Sequence, residues 1–123
     1  MKIFIILGAV NAFLSVALGA FGAHGLEKSV EPKYLEIWKT GVNYQMFHAI
    51  GLLIIGVLLG KLPASTLLSW SGWCMLIGII LFSGSLYALT LTKVGVLGAI
   101  TPLGGISFLA AWVLLIIASV KYL

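Results

Sequence analysis

The feature that most constrains this chain is where its charge lies. It has only ten charged residues in 123, seven of them lysine and none aspartate or arginine. They sit between and at the ends of long hydrocarbon runs. The segment from Gly19 to Gly51 holds all three acidic residues, three of the seven lysines and both histidines. A water-soluble domain of this length has a large surface to cover and normally has about a quarter of its residues charged. Here 8% are charged and 62% hydrophobic, so lipid is the expected solvent for most of the chain.

Four apolar stretches follow from this, at about residues 3–23, 44–60, 67–91 and 101–120, each of a length to cross a ~30 Å hydrocarbon core. The expected fold is all-α: a single membrane domain over residues 1–123, built as a four-helix bundle with antiparallel neighbours. In the first stretch Asn11, Ser15, Gly19 and Ala23 recur every fourth residue and form one small, polar stripe. Such stripes let helix backbones approach where lipid offers no hydrophobic drive. Met1-Lys2 ahead of an apolar run also fits a cleaved signal peptide, but cleavage would discard that packing face, so the span is read as retained.

The polar segment contains the turn. His24-Gly25 is expected to end the first helix, with glycine free to take positive φ. Glu31-Pro32 reads as a fresh start, because proline is tolerated in the first helical turn. Over about residues 32–43, Lys33, Glu36, Lys39, Thr40 and Asn43 fall on one side of a helix, and Tyr34, Ile37, Trp38, Gly41 and Tyr44 line most of the other. This is the pattern of a short interfacial amphipathic helix with its aromatics at head-group level. A helical linker packed on its own bundle has the same pattern. Gly41 offers a bend before the second span, and an unbroken helix is the alternative.

Lys61-Leu62-Pro63-Ala64-Ser65 reads as a tight turn with Ser65 or Thr66 as N-cap. Trp70 and Trp73 fit an aromatic belt. Lys93-Val94-Gly95 closes the third span, and after Val96 to Ile100 the pair Thr101-Pro102 makes a helix start with threonine as cap. Lys2, Lys61 and Lys121 share one side of the membrane, and Lys28, Lys33, Lys39 and Lys93 the other. The lysine count does not choose an orientation, and the first span with Lys2 tips the termini toward the cytoplasm.

Intramembrane polar groups are the natural functional candidates, because an unpaired one in hydrocarbon is costly. His48 lies one turn from Tyr44 and three residues after Gln45, so the three can share a face. His24, at the end of the first span, and Glu36 are expected near the same membrane face. Ser83 and Tyr87, one turn apart, give the third span a second polar feature. The candidate binding residues are therefore His24, Glu36, Trp38, Tyr44, Gln45, His48, Ser83 and Tyr87. The plainer reading of the histidines, bonding to a neighbouring helix, takes precedence.

No metal or other cofactor is expected: nothing matches HExxH or CxxC, and Cys74 is a lone thiol in an apolar run. No catalytic residue is assigned, since a serine nucleophile needs an oriented base and there is no aspartate to orient one. The scattered lysines suit anionic lipid head groups rather than nucleic acid, which wants a clustered basic face. The first functional expectation is a non-enzymatic membrane protein that binds a lipid or small apolar molecule, or assists a membrane partner. The alternative is a subunit of a homo-oligomeric transporter or channel, assembled through the small-residue faces. A membrane enzyme using histidine as acid or base ranks last.

Four motifs, GAFGAHGL (Gly19 to Leu26), WKTGVNYQMFHA (Trp38 to Ala49), LFSGSLYALTLT (Leu81 to Thr92) and LGAITPLGGISFLAAW (Leu97 to Trp112), resemble the small bacterial membrane proteins of domain-of-unknown-function family 423. That family has eukaryotic relatives that are small transmembrane proteins of similar layout. The resemblance spans nearly the whole chain. It implies a four-helix integral protein, in bacteria of the plasma membrane, and brings no activity with it. The family pattern has glycine before the last tryptophan and often after the LT of the third span. This chain has Ala111 and Lys93 there.

Overall fold

A computed structural model describes residues 2–62 and 66–123. Four long helices make up the described chain. They are α1 (Lys2–Leu26), α2 (Pro32–Lys61), α3 (Thr66–Thr92) and α4 (Thr101–Tyr122). A short 3-10 helix, Gly95–Ala99, precedes α4. No strand occurs among the described residues. Four helical segments are long and apolar enough to cross a membrane. The architecture is an all-α membrane bundle. The expected turn at residues 63–65, with Ser65 as a candidate cap, lies outside the described residues.

Helix α2 packs along α1 and against α3, while α4 packs on α3 and meets α2 through the side chains of Phe108 and Trp112 against His48. All four contribute to the core: Phe4 from α1, Leu52 and Ile55 from α2, Met75 and Ile79 from α3, Phe108 and Ala111 from α4. The α1 stripe packs inward over its first half, while Gly19 is half-buried and Ala23 is exposed. Asn11 and Ser15 are buried in the bundle. At Gly8 a Cβ would lie 2.9 Å from the carbonyl oxygen of Ala49, so the two helices run nearly backbone to backbone.

Several local features differ from what the sequence led us to expect. The first helix does not stop at His24-Gly25. It continues to Leu26 by widening into a π turn, Gly22–Leu26. No described glycine takes positive φ; the one left-handed residue among the described residues is Lys93, φ 59° and ψ 22°, whose N–H closes α3 on the carbonyl of Leu89. Pro32 does open α2, with Glu31 extended before it. Residues 32–43 are not a separate helix, however, but the first three turns of an unbroken α2, passing Gly41 without interruption. Trp38 is not turned out toward head groups. It is 2% exposed, edge-on to Phe21 at 5.7 Å, and its indole N–H donates to the Leu18 carbonyl at 2.8 Å. The same one-sided pattern serves a helix packed on its own bundle. At α4, Thr101 is already helical and caps nothing; its hydroxyl lies 2.6 Å from that of Ser85 on α3. Trp70 and Trp73 are exposed near the start of α3.

Helix α3 contains a second π turn, Ile79–Ser83. A π turn holds more residues than an α turn, so it re-phases the faces that follow. Ser83 consequently points to α2, where it donates to the Gly41 carbonyl at 2.7 Å, and Ser85 points to α4. Beside this turn α4 comes very close, since a Cβ at Gly104 would meet the backbone of Phe82.

Candidate functional site

Two polar constellations occupy the interior, on adjoining flanks of α2, with Gln45 in one and His48, three residues on, in the other. The first joins α1, α2 and α3. Tyr87 donates its hydroxyl to Oε1 of Gln45 at 2.6 Å. Gln45 Nε2 donates to Oδ1 of Asn11 at 3.0 Å, and Asn11 Nδ2 donates to the Leu7 carbonyl at 2.8 Å. Ser15, Trp38, Ser83 and Thr90 bond to backbone carbonyls around this line. Among the described residues no buried side-chain nitrogen or oxygen lacks a partner. Beyond the Tyr87 phenol the line consists of two amides, which do not titrate, and its last bond ends on a carbonyl, so it does not relay a proton. It is a clasp.

The second constellation joins α2 to α4. The Trp112 indole, which can only donate, bonds to Nε2 of His48 at 2.9 Å. That nitrogen must therefore be the unprotonated one. Nδ1 then carries the hydrogen, and it lies 2.8 Å from the Tyr44 carbonyl, which accepts it. His48 is held as the neutral Nδ1–H tautomer with both nitrogens in use. Its ring stacks on Phe108 with centroids 3.5 Å apart and planes 10° from parallel. Tyr44 packs on Phe82 at 4.5 Å, and Phe47 meets Trp112 edge-on at 5.8 Å.

Outside this layer lies a groove of about 690 Å³ between α2 and α4. It runs from Asn43 and Pro102 toward Trp112, with Phe47 and Leu109 on its two walls. The floor is open at Gly105, where the nearest atom to an added Cβ is a Phe82 ring carbon 4.0 Å away. No lysine, aspartate or glutamate lines it.

The eight residues singled out from the sequence divide accordingly. Trp38, Gln45, Ser83 and Tyr87 meet on the α1 and α3 side of α2, where Trp38 and Tyr87 have ring centroids 4.7 Å apart. Tyr44 and His48 meet on the groove side. His24 and Glu36 join neither: His24 is exposed in the π turn of α1, and Glu36 is exposed with its oxygen 3.8 Å from Lys39 Nζ. Asn11 and Trp112 are not among the candidates the sequence offers, although each makes a side-chain bond that ties a constellation across two helices. The every-fourth stripe pointed to Asn11. Trp112 closes one of the resembling motifs, and that was its only signal.

Comparison with known proteins identifies the family. A family model described as a protein of unknown function, DUF423, matches residues 18–105. The chain belongs to this family. The UPF0382 membrane protein YwdK of Bacillus subtilis is 55% identical over 123 residues, covering the whole of both chains. The UPF0382 membrane protein SH2409 of Staphylococcus haemolyticus is 52% identical over 122 residues, 99% of this chain and 98% of the relative. No solved structure matches the chain. Family membership and the four apolar helices together make this a multi-pass membrane protein.

Proposed function

We propose that the protein is a non-enzymatic lipid-binding membrane protein, and that its binding site is the groove between α2 and α4. The observation that carries this reading is the groove itself. Its volume falls within the ~300–1,000 Å³ range of small-molecule sites, it opens along the bundle, and aromatic side chains form much of its lining. An aromatic groove on a lipid-facing surface suits a single hydrocarbon chain, and the stacked, doubly bonded His48 keeps the wall rigid behind it. A catalytic role for His48 finds no support in this geometry, because neither nitrogen is free to take or give a proton without breaking a bond to Tyr44 or Trp112. The natural setting of such a protein is the bacterial plasma membrane, and Lys2 ahead of the first span favours cytoplasmic termini.

The test is native mass spectrometry of the protein extracted with its own membrane lipids, as wild type and as Gly105→Leu. The added isobutyl group has room to project into the groove without meeting backbone. One lipid bound to the wild type and absent from a normally folded variant is the expected result. Equal lipid retention by both would overturn the reading.

A further inference from the structure

The groove has polar groups at one end only. Asn43 and Tyr44 lie at its mouth. Neither the Asn43 amide nor the Tyr44 hydroxyl is hydrogen-bonded within the described residues, and both residues are exposed. Deeper in, the imidazole of His48 and the indole of Trp112 satisfy each other and offer a ligand nothing. No lysine lines the groove: Lys39, one turn before Asn43, is paired with Glu36 at 3.8 Å, and Lys33 and Lys93 flank the ring of Tyr34, at 5.1 and 5.6 Å from its centroid. The site therefore supplies hydrogen bonds to one end of a ligand, an apolar wall to the rest, and no counter-charge along its lining.

That combination discriminates among lipids. A phosphate or carboxylate head drawn out of water toward uncharged walls would lose hydration without gaining a cation, which is costly. An uncharged oxygen-bearing head loses little, and its carbonyl or hydroxyl oxygens can accept from the Asn43 amide and the Tyr44 hydroxyl. We infer that the groove selects neutral amphiphiles, a carbonyl- or hydroxyl-bearing head on one or more hydrocarbon chains, in preference to the anionic phospholipids around it. This deepens the lipid-binding reading and rests on it. Two membrane sources share this chemistry, a diacylglycerol and a prenylated quinone.

The experiment is a competition followed by native mass spectrometry. Purified full-length protein is offered equimolar phosphatidylglycerol with either dioleoylglycerol or a menaquinone, as wild type, Asn43→Leu, Tyr44→Phe and Gly105→Leu. The expected result is a wild-type adduct dominated by one neutral lipid, and which of the two prevails identifies the source. Each mouth substitution should cut the preference over phosphatidylglycerol by about fivefold, the worth of one hydrogen bond. Tyr44→Phe keeps the ring that packs on Phe82, so a loss there reports the hydroxyl. Phosphatidylglycerol binding as well as both neutral lipids, or a preference untouched by the mouth substitutions, would overturn the inference while leaving the groove as a lipid site. Lipid retained at full level by Gly105→Leu would instead remove the groove reading.

Discussion

The Trp112 indole nitrogen lies 2.9 Å from Nε2 of His48, a bond between residues 64 positions apart that ties α4 to α2 at the back of the groove. It also fixes the protonation state of the imidazole, because an indole N–H can only donate. The prediction is that ¹⁵N spectra of histidine-labelled protein in bicelles show His48 as the neutral Nδ1–H tautomer. Trp112→Phe should keep most of the packing and cost about 1 kcal/mol, the net worth of one hydrogen bond. His48→Ala also removes the ring stacked on Phe108 and should cost about 2–4 kcal/mol. A doubly protonated or Nε2–H histidine would contradict the assignment.

Gln45 is the middle of the three-helix clasp. Replacing it with leucine keeps a similar volume but orphans two groups at once, the Tyr87 hydroxyl and Oδ1 of Asn11. Leaving a buried group unsatisfied costs about 1–3 kcal/mol, whereas an average interhelical bond in a membrane is worth about 0.6 kcal/mol. Gln45→Leu should therefore destabilise by about 2 kcal/mol in a reversible unfolding assay in bicelles. Tyr87→Phe, which leaves only the Gln45 oxygen short of a donor, should cost less than half as much. Equal effects would mean that the clasp does not act through its central amide.

How far the sequence shows this arrangement depends on the kind of signal. The apolar stretches, the start of α2 at Pro32 and the α1 stripe are local patterns, and each is present in the fold. Depth and azimuth around a bundle are not local. His24 and Glu36 are expected near the same membrane face as His48, yet helix rotation leaves the first two exposed and buries the third. Trp38 shows the same limit from the other side. A one-sided helix looks alike whether its apolar face meets lipid or another helix, and only the Leu18 carbonyl within reach of its indole separates the two cases. Trp112 could not be paired with His48 from spacing, since the match depends on how α4 packs against α2.

The glycines differ in a way that stability measurements can resolve. Gly104 is where α4 crosses the π turn of α3, and an added methyl would meet the backbone nitrogen and Cα of Phe82, which cannot rotate away. Gly84, in the helix just after that turn, has ordinary helical angles of −60° and −42° and nothing within 4 Å of an added Cβ. Gly104→Ala should destabilise by about 1–3 kcal/mol, as overpacking does. Gly84→Ala should stabilise by about 0.5–1 kcal/mol through the unfolded chain and helix propensity. Similar effects for both would count against the close crossing.

Lys93 closes α3 in the left-handed region, where glycine is the usual occupant. A side chain there costs about 1–2 kcal/mol by crowding Cβ against the following carbonyl, and glycine avoids that cost. Against this, the Lys93 ammonium lies 5.6 Å from the centre of the Tyr34 ring, an exposed cation–π contact worth about 0.5–1 kcal/mol. The backbone effect is the larger, so Lys93→Gly should raise stability by up to about 1 kcal/mol. Lys93→Ala loses the contact and keeps the strain, so it should lower stability. Lys93→Asn, which tolerates the left-handed region better than alanine, should fall between the two. Thermal unfolding of the three variants in one detergent gives that order, and a glycine variant less stable than the alanine one would show that the helix end is not strained at this residue.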